Sequence, residues 1–295
     1  MTAPDFVVVG DLMTDVVART GGPLRHGSDT AAEITTHGGG SGANTASWLC
    51  AEGAGCAYVG RVGDDAMGRV WIEGLAAQGV EPHLALDPGR ATGTVVVIVD
   101  PDGERTMLPD AGANAALSPG DLPDGLFASG RHLHLSGYTL LNDGSRAAGL
   151  VSFDLARRRG MTISVDPASA GPIDDVGRER FLGWISGADV LLANELEVAA
   201  LTGLSDPEQA ARALAASFGE VVVKLGPDGA LWVRGDEPAV LAPAVAVEVV
   251  DTTGAGDCFA AGFLPAWLAG APPLDALTAG CALAARVVTR PGARP

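Results

Sequence analysis

The sequence predicts an α/β fold built around a mainly parallel β-sheet. Valine-rich apolar runs alternate along the chain with alanine-rich stretches of helical length, a rhythm typical of repeated strand–helix–strand units. Runs such as FVVV at 6–9 and VVV at 221–223 are continuously apolar, which indicates strands buried on both faces. No linker or internal repeat divides the 295 residues, so we expect one domain.

The predicted elements follow each other along most of the chain. Strands are expected at 6–9, 57–59, 95–99, 132–135, 162–165, 190–192, 221–223 and 231–233. Helices are expected at 43–52, 66–78, 144–159, 195–202, 207–218, 254–269 and 274–288. Residues 13–37 and 91–110 break the rhythm because they hold short alternating pieces and no helix. We expect these two segments to form a small second sheet over the main one.

Composition argues against several classes of partner. The chain has 36 Asp and Glu against 19 Lys and Arg, and a formal charge of −17 repels nucleic acid and anionic lipid. No apolar stretch reaches about 18 residues, and the N-terminus lacks a basic region, so neither a membrane span nor a signal peptide is expected. The four cysteines lack metal-type spacing and are expected to be free in a reducing cytoplasm.

The strongest chemical pattern is DTTGAGDCF at 251–259. Gly254, Ala255 and Gly256 precede a helical stretch, and such a turn offers backbone N–H groups and the positive end of the helix dipole to an anion. Asp257 falls in the first turn of that helix, where its carboxylate could take a proton from an attacking hydroxyl. From spacing alone, an aspartate that only stabilises the helix N-terminus is an equal alternative.

The segment DTTGAGDCFAAGF closely resembles the C-terminal signature of the ribokinase-like (PfkB) family of carbohydrate kinases. Other segments match the family in order between Gly10 and Gly292, namely GGGSGANTA at 38–46, GRVGDD at 60–65, AGANAALSP at 111–119, NELE at 194–197 and KLG at 224–226. The resemblance implies a ribokinase-like three-layer α/β/α sandwich with a mainly parallel central sheet. It also implies a single catalytic domain over 1–295, with a small β-sheet lid near 13–37 and 91–110.

The resemblance implies an ATP-dependent kinase that phosphorylates a hydroxyl group of a small molecule. Asp257 becomes the general base, and the N–H groups of Gly254, Ala255 and Gly256 become the anion hole for the transferred phosphoryl group. The N–H group of Asp257 itself is counted with them.

Acceptor binding is implied for the residues near the first strand. Asp15 and Asn44 resemble the anchors that bind sugar hydroxyls, and Gly39 and Gly40 would let the backbone approach the sugar. Asn44 could equally cap a helix, and the two roles are compatible. Asp11 also lies at the end of a strand, but Asp15 is the favoured ligand.

The nucleotide and its metal are assigned to the second half of the chain by the same resemblance. The nucleotide-binding residues are Asn194, Lys224, Gly226 and Gly229. Glu197 would place Mg²⁺, mostly through water. From the residues alone, a solvated helix residue is the favoured interpretation of Glu197, and a surface lysine at a strand end is an alternative for Lys224.

A monovalent cation, K⁺, is left open. In ribokinases such an ion lies beside the anion hole, and the matching positions here are Asp251, Thr253, Val287, Arg290 and Gly292. The expected cofactors are therefore ATP and Mg²⁺, with K⁺ as an undecided third.

Departures from the family pattern bear on the acceptor. Ser41 stands where ribokinases typically have lysine, which argues against a phosphorylated sugar. Ala168 and Ala170 replace the Asn and Arg of many fructokinases and ketodeoxygluconate kinases, so a small neutral sugar, ribose-like or related, is expected. Met13 replaces a polar sugar ligand and leaves a nucleoside kinase as the alternative. Tyr138 could stack on the acceptor, but a core position is favoured.

Two other functions compete with a kinase on the sequence alone. A nicotinamide-dependent oxidoreductase is disfavoured because no G-x-G-x-x-G follows the first strand. A catalytically silent sugar-binding protein is disfavoured because Asp257 and the GAG turn are both present.

The predicted lid resembles the lid that pairs across a homodimer in this family, and its closure would exclude water. Whether Arg105, in the predicted hairpin, faces the site is not decided by sequence.

Overall fold

A computed structural model of the protein describes residues 5–295. The strands within that range are β1 (Phe6–Val9), β2 (Met13–Thr20), β3 (Ala32–Gly39), β4 (Cys56–Gly63), β5 (Glu81–Asp87), β6 (Thr94–Val99), β7 (Arg105–Asp110), β8 (His132–Ser136), β9 (Thr162–Asp166), β10 (Val190–Asn194), β11 (Glu220–Lys224), β12 (Ala230–Val233) and β13 (Val240–Ala242). The α-helices are α1 (Ser41–Ala51), α2 (Ala66–Ala77), α3 (Tyr138–Leu141), α4 (Arg146–Arg158), α5 (Ala170–Val176), α6 (Arg178–Ile185), α7 (Glu195–Thr202), α8 (Pro207–Ala215), α9 (Ala255–Leu268) and α10 (Pro273–Val288).

The central sheet contains nine of the described strands in the order β13-β12-β11-β10-β9-β8-β1-β4-β5. Seven of them, from β11 to β5, pair in parallel, and β12 and β13 add antiparallel pairs at one edge. This confirms the predicted fold class. The sequence missed β5 because this edge strand is half exposed and carries no continuous apolar run.

Helices cover both faces of the sheet, so its strands are buried on both sides. In β1, Val7 and Val9 join the apolar cluster beneath α4 to α8, whereas Phe6 and Val8 join the cluster beneath α1, α9 and α10. The same alternation divides the valines of β11. Two-sided burial explains why these strands are apolar at consecutive positions.

The second sheet contains four strands in the order β3-β2-β6-β7. β2 pairs with β3 antiparallel and with β6 in parallel, and β6 and β7 form the hairpin expected in the 91–110 segment. Both segments that break the helical rhythm in sequence therefore contribute strands to this sheet. We call it the lid sheet.

The parallel strands of the central sheet bring polar side chains to one edge. β1 is followed by Asp11, β9 ends at Asp166, β10 ends at Asn194, and β11 ends at Lys224. Carboxyl ends of parallel strands lie together, and in open α/β sheets this edge is where ligands bind. The starts of α1 and α9 lie at the same edge, since Ser41 and Asp257 are in contact.

Two further expectations concern membranes and thiols. Within residues 5–295, no helix is long and apolar enough to cross a membrane.

The cysteines are free thiols. Cys50 is half-buried, and Cys56, Cys258 and Cys281 are buried. Their positions agree with use as small apolar side chains.

Phe263 offers a test of the packing beneath α9. Its fully buried ring stacks between Phe259 and Trp267, with ring centroids 6.0 and 6.4 Å away. We expect Phe263→Ala to lower the free energy of unfolding by about 3–5 kcal/mol, because it removes buried surface and leaves a cavity. Phe263→Leu should cost less than about 1.5 kcal/mol if the site repacks. Urea denaturation followed by circular dichroism measures both, and equal small losses would contradict this packing.

Candidate active site

A tight turn opens α9. Gly254 has a φ of 78°, in the left-handed region, and a Cβ there would lie 2.6 Å from the Cβ of Ala293. Conformation and close packing therefore both require glycine. Backbone N–H groups in the first turn of a helix lack intrahelical acceptors, and here they begin at Ala255. The N–H of Ala255 donates to a carbonyl of the preceding turn at 3.2 Å, so the N–H groups after it are the better anion donors.

Asp257 joins the N-terminal ends of two helices. Its Oδ1 accepts a hydrogen bond from Ser41 Oγ at 2.8 Å, and its Oδ2 accepts one from Asn44 Nδ2 at 2.8 Å. Ser41 and Asn44 lie in the first turn of α1, whereas Asp257 lies in the first turn of α9. Both carboxylate oxygen atoms are thus held by side chains of α1.

The environment of Asp257 brings its pKa close to neutral pH. Desolvation raises the pKa of Asp257 to about 7, and the charge of Asp166 acts in the same direction. The hydrogen bonds from Asn44 and Ser41 oppose this increase. A general base is most effective when its pKa lies near the working pH.

Asp15 and Gly39 form one wall of the acceptor side. Asp15, on β2, is buried, and it packs so closely on Gly39 that a Cβ at Gly39 would overlap its carboxylate. Gly40, at the start of α1, has a φ of 95° and lies against the backbone of Asp11. Burial raises the pKa of Asp15 to about 6, opposed by the charge of Arg294. Asp15 is therefore a buried carboxylate at the start of the lid sheet, beside Gly39 and within reach of the charge of Arg294.

Asp11 has a different role from Asp15. Its carboxylate accepts hydrogen bonds from the N–H of Ser41 at 3.1 Å and from Ser136 Oγ at 3.1 Å, and Gly42 N lies at 3.4 Å. These contacts hold the start of α1 against β8. The carboxylate of Asp11 is thus occupied by contacts within the fold.

Arg294 is the residue of this site that the sequence reasoning missed. Its Nε donates to Asn44 Oδ1 at 3.2 Å, and Nη2 donates to the carbonyl of Gly39. The guanidinium lies 5.8 Å from the ring centroid of Trp71. No motif marks this arginine, because it reaches the pocket from the far end of the chain. Ser41 replaces the lysine that is typical of ribokinases, and Arg294 brings a different cation to the start of α1.

Asn194 and Glu197 bind each other at the start of α7. Glu197 Oε2 accepts from the N–H of Asn194 at 2.9 Å, and Asn194 Oδ1 accepts from the N–H of Glu197 at 2.9 Å. This is a capping box, and it fixes both side chains. Glu197 is 2% exposed, so its interpretation as a solvated helix residue is wrong. Burial raises the pKa of Glu197 to about 7, opposed by the charge of Lys224.

Lys224 lies behind the anion-binding turn. Its Nζ donates to Asp166 Oδ2 at 2.6 Å, and a Cβ at Gly256 would lie 3.1 Å from that Nζ. With both side chains mostly buried, the interpretation of Lys224 as a surface lysine is wrong. Gly226 and Gly229 lie in the turn between β11 and β12, with φ values of 57° and 101°. Only Lys224 of these three contacts the α9 turn directly in the structure.

The acidic groups at this edge fit a magnesium ion that is shared with a nucleotide. The negative charges of Asp166 and Glu197 both raise the pKa of Lys224, so both carboxylates lie near its ammonium group. Among the residues that the structure describes, no group of three or more His, Cys, Asp or Glu side chains is placed to hold a metal ion alone. Mg²⁺ typically takes one or two carboxylates together with water and substrate phosphates, and the donors here fit that pattern.

The predicted monovalent-cation residues come together around Asp251. Arg105, which is not one of the predicted residues, also contacts the Asp251 carboxylate. Gly292 N donates to Asp251 Oδ2 at 3.2 Å, and Thr253 Oγ1 donates to Asp251 Oδ1 at 2.7 Å. The chain near Val287 and Arg290 is held alongside, because the N–H of Asp251 donates to the carbonyl that follows Val287 at 3.2 Å. Arg105 of β7 contacts this carboxylate at 3.0 Å.

Tyr138 is not the core residue that the sequence favoured. It follows the end of β8, and its side chain is 40% exposed. Burial of part of the ring raises its pKa, and the charges of Asp11, Asp257 and Asp166 add to the increase. Tyr138 therefore faces the cleft, where its ring can contact an acceptor.

Comparison with known proteins identifies the family. The profile described as pfkB family carbohydrate kinase matches residues 3–295. The chain belongs to the PfkB family of carbohydrate kinases. The 2-dehydro-3-deoxygluconokinase of Thermoproteus tenax is 33% identical over 291 residues, which is 96% of this chain and 88% of that protein. This PfkB protein is therefore a carbohydrate kinase by family.

Solved structures of family members show the same fold. The adenosine kinase of Sinorhizobium meliloti has a TM-score of 0.90 at 28% identity and covers 100% of this chain and 96% of its own. The fructokinase of Vibrio cholerae O395 was solved with fructose, ADP and calcium ion. It has a TM-score of 0.83 at 28% identity, and the match covers 99% of this chain and 95% of the fructokinase chain. A double mutant of that fructokinase was solved with fructose, ADP and potassium ion.

The pH dependence of the reaction tests the state of Asp257. A base must be ionised to accept a proton, so kcat/KM should fall about tenfold per pH unit below the pKa. Since that pKa is about 7, activity should be reduced at pH 6 and level above pH 8. Asp15 and Glu197 also titrate in this region. A variant must therefore show whether the fall in activity at acidic pH, the acidic limb of the profile, belongs to Asp257.

Ser41→Ala provides that assignment. The hydrogen bond from Ser41 lowers the pKa of Asp257, so its removal should move the acidic limb to higher pH. The control is Ser47→Ala, on the same helix, whose hydroxyl donates to the carbonyl of Ala43 and does not contact Asp257. An unmoved limb in Ser41→Ala would show that another group controls the profile.

Proposed function

We propose that the protein transfers the γ-phosphoryl group of ATP to a hydroxyl of a small neutral sugar, with Asp257 as general base. The observation that carries the proposal is the position of Asp257. Its carboxylate lies at the start of α9, beside N–H groups that suit an anion, and its pKa is about 7. Ser41 and Asn44 aim it at the acceptor side.

The residues divide the reaction between them. Asp15 and Asn44 bind acceptor hydroxyls, and Asp257 accepts the proton as the acceptor oxygen forms its bond to the γ-phosphorus and the bond to ADP breaks. Backbone N–H groups of Gly256 and Asp257 stabilise the charge on the transferred group. Glu197 would help to hold a magnesium ion bound with ATP, and that ion would neutralise phosphate charge.

Lys224 supports the same step from behind the turn. Its ammonium group lies next to Gly256 and is paired with Asp166, so it places positive charge beside the transferred phosphoryl group. Asn194, Gly226 and Gly229 border the nucleotide in this proposal. Potassium is not part of it, because Arg105 already neutralises Asp251.

A sugar acid is the second candidate acceptor, and Arg294 favours it. The hydrogen-bond partners of Arg294 are neutral oxygen atoms of Asn44 and Gly39, so no carboxylate is hydrogen-bonded to its guanidinium. The charge of Asp15 acts on it from nearby, and an anionic acceptor would share this cation with Asp15. Guanidinium groups bind carboxylates well. The similar protein from Thermoproteus tenax carries the name of a sugar-acid kinase. A nucleoside is a further alternative acceptor, because the fold is similar to that of an adenosine kinase.

The lid sheet supports the expectation of a homodimer. Its edge strands β3 and β7 expose Ile34, Met107 and Leu108, with exposed fractions of 64, 51 and 57%. Unpaired edge strands with apolar side chains favour pairing with another chain. We propose that a second copy covers them.

Asp257→Ala tests the base. An ADP-release assay with Mg²⁺ and ATP against pentoses, hexoses, sugar acids and nucleosides should find one acceptor class, and the variant should lose about 10²–10⁴ of kcat on it. Asp275→Ala is the matched control, since Asp275 is exposed in the first turn of the neighbouring helix α10. A variant as active as the native protein would remove Asp257 from its role.

Arg294→Gln separates the acceptor classes. For a neutral sugar, the variant should leave KM close to its native value, because an amide still donates to Asn44. For a sugar acid, KM should rise about 10- to 100-fold, the loss expected for a hydrogen bond to a charged group. Steady-state kinetics on gluconate-type acids and on ribose measures the difference. A change in kcat alone would fit neither class.

A further inference from the structure

Arg105 brings a fixed positive charge to the segment that leads into α9. It starts β7 of the lid sheet, and its Nη1 donates to Asp251 Oδ1 at 3.0 Å and to Thr253 Oγ1 at 2.8 Å. Its Nη2 contacts the hydroxyl of Thr252. The side chains of Arg105 and Asp251 are 25% and 10% exposed, so the pair is largely shielded from water.

The carboxylate of Asp251 has little capacity left for a metal ion. Its Oδ1 also accepts hydrogen bonds from the N–H of Thr253 at 2.9 Å and from Thr253 Oγ1 at 2.7 Å. Its Oδ2 accepts from the N–H of Gly292 at 3.2 Å. A cation needs free lone pairs, whereas Oδ1 already accepts from Arg105 and from both donors of Thr253, and Oδ2 accepts from Gly292. The residues present do not fit a potassium ion while Arg105 is in place.

We propose that the guanidinium of Arg105 takes the place of a monovalent cation, so that this enzyme works without potassium. One carboxylate and one guanidinium balance each other, and a further cation would leave an uncompensated positive charge in a shielded site. A guanidinium is always charged and holds a fixed fork of donors. It therefore supplies both the charge and the directional contacts from a single side chain.

The contacts of Arg105 make it a positioning residue for the anion hole. Thr252, Thr253 and Asp251 form the turn directly before Gly254, and Arg105 touches all three. The carbonyl of Thr252 in turn accepts the N–H of Ala255 at 3.2 Å. By holding the turn, Arg105 sets the direction of the N–H groups that follow. Because Arg105 lies on the lid sheet, this support depends on the lid lying over the turn.

Chemical rescue by potassium tests the inference, and its activity arm rests on the proposed kinase function. The native protein should turn over at the same rate in 100 mM KCl and in tetramethylammonium chloride, within about twofold. Arg105→Met should lose about 10- to 100-fold of kcat without potassium, as for a lost charge-assisted hydrogen bond, and regain most of it in KCl. Arg19→Met is the control, because Arg19 lines the same cavity beneath the lid sheet but does not contact Asp251.

A second arm uses the thermal midpoint and needs no acceptor. An ion that binds only the folded protein raises the midpoint. KCl should therefore raise the midpoint of Arg105→Met above its value in tetramethylammonium chloride, and should leave the native protein and Arg105→Lys unchanged. The double variant Arg105→Met, Asp251→Asn should lose the response, since the carboxylate that attracts potassium is gone.

The outcomes separate the two ideas. Native protein that is activated tenfold by potassium, or Arg105→Met that shows no potassium response in either arm, would overturn the role of Arg105. Absence of turnover on every acceptor, with the thermal response intact, would leave the role of Arg105 standing and remove the proposed function instead.

Discussion

The hydrogen bonds between Asp257 and the start of α1 are the contact on which the rest of the site depends. They join residues more than two hundred positions apart and hold two helix N-termini against each other at the carboxyl edge of the sheet. The positive ends of both helix dipoles then point at the same small space. A carboxylate placed there is close both to a transferred anion and to the hydroxyl that attacks it.

Placing several carboxylates at one partly buried edge has an electrostatic cost that the fold must offset. Three of these acids have a cation within reach, and each cation comes from a different segment. Lys224 at the end of β11 pairs with Asp166, Arg105 of the lid sheet pairs with Asp251, and Arg294 lies near Asp15. Buried charges are tolerated when they are paired in this way. The desolvation that remains raises the pKa of Asp257 to about 7, which suits a base.

The predicted strands and helices agree with the structure where burial alone determines the residue types of a segment. Strands buried on both faces, such as β1 and β11, were found because every position is apolar. β5 was missed because an edge strand is covered on one face only, and its residues mix apolar and polar types. α5 and α6 were missed because glycine and proline interrupt their sequences.

The sequence by itself determined the family, the layer order of the fold and the identity of the candidate base. Local turn chemistry carries this information, since the GAG turn and the aspartate after it lie within a few residues of each other. Only the tertiary structure decided which charges meet. Arg294 and Arg105 reach Asn44 and Asp251 across 250 and 146 positions of chain, and no local pattern marks such pairs. Sequence patterns report local geometry, whereas charge compensation depends on which distant segments the sheet brings together.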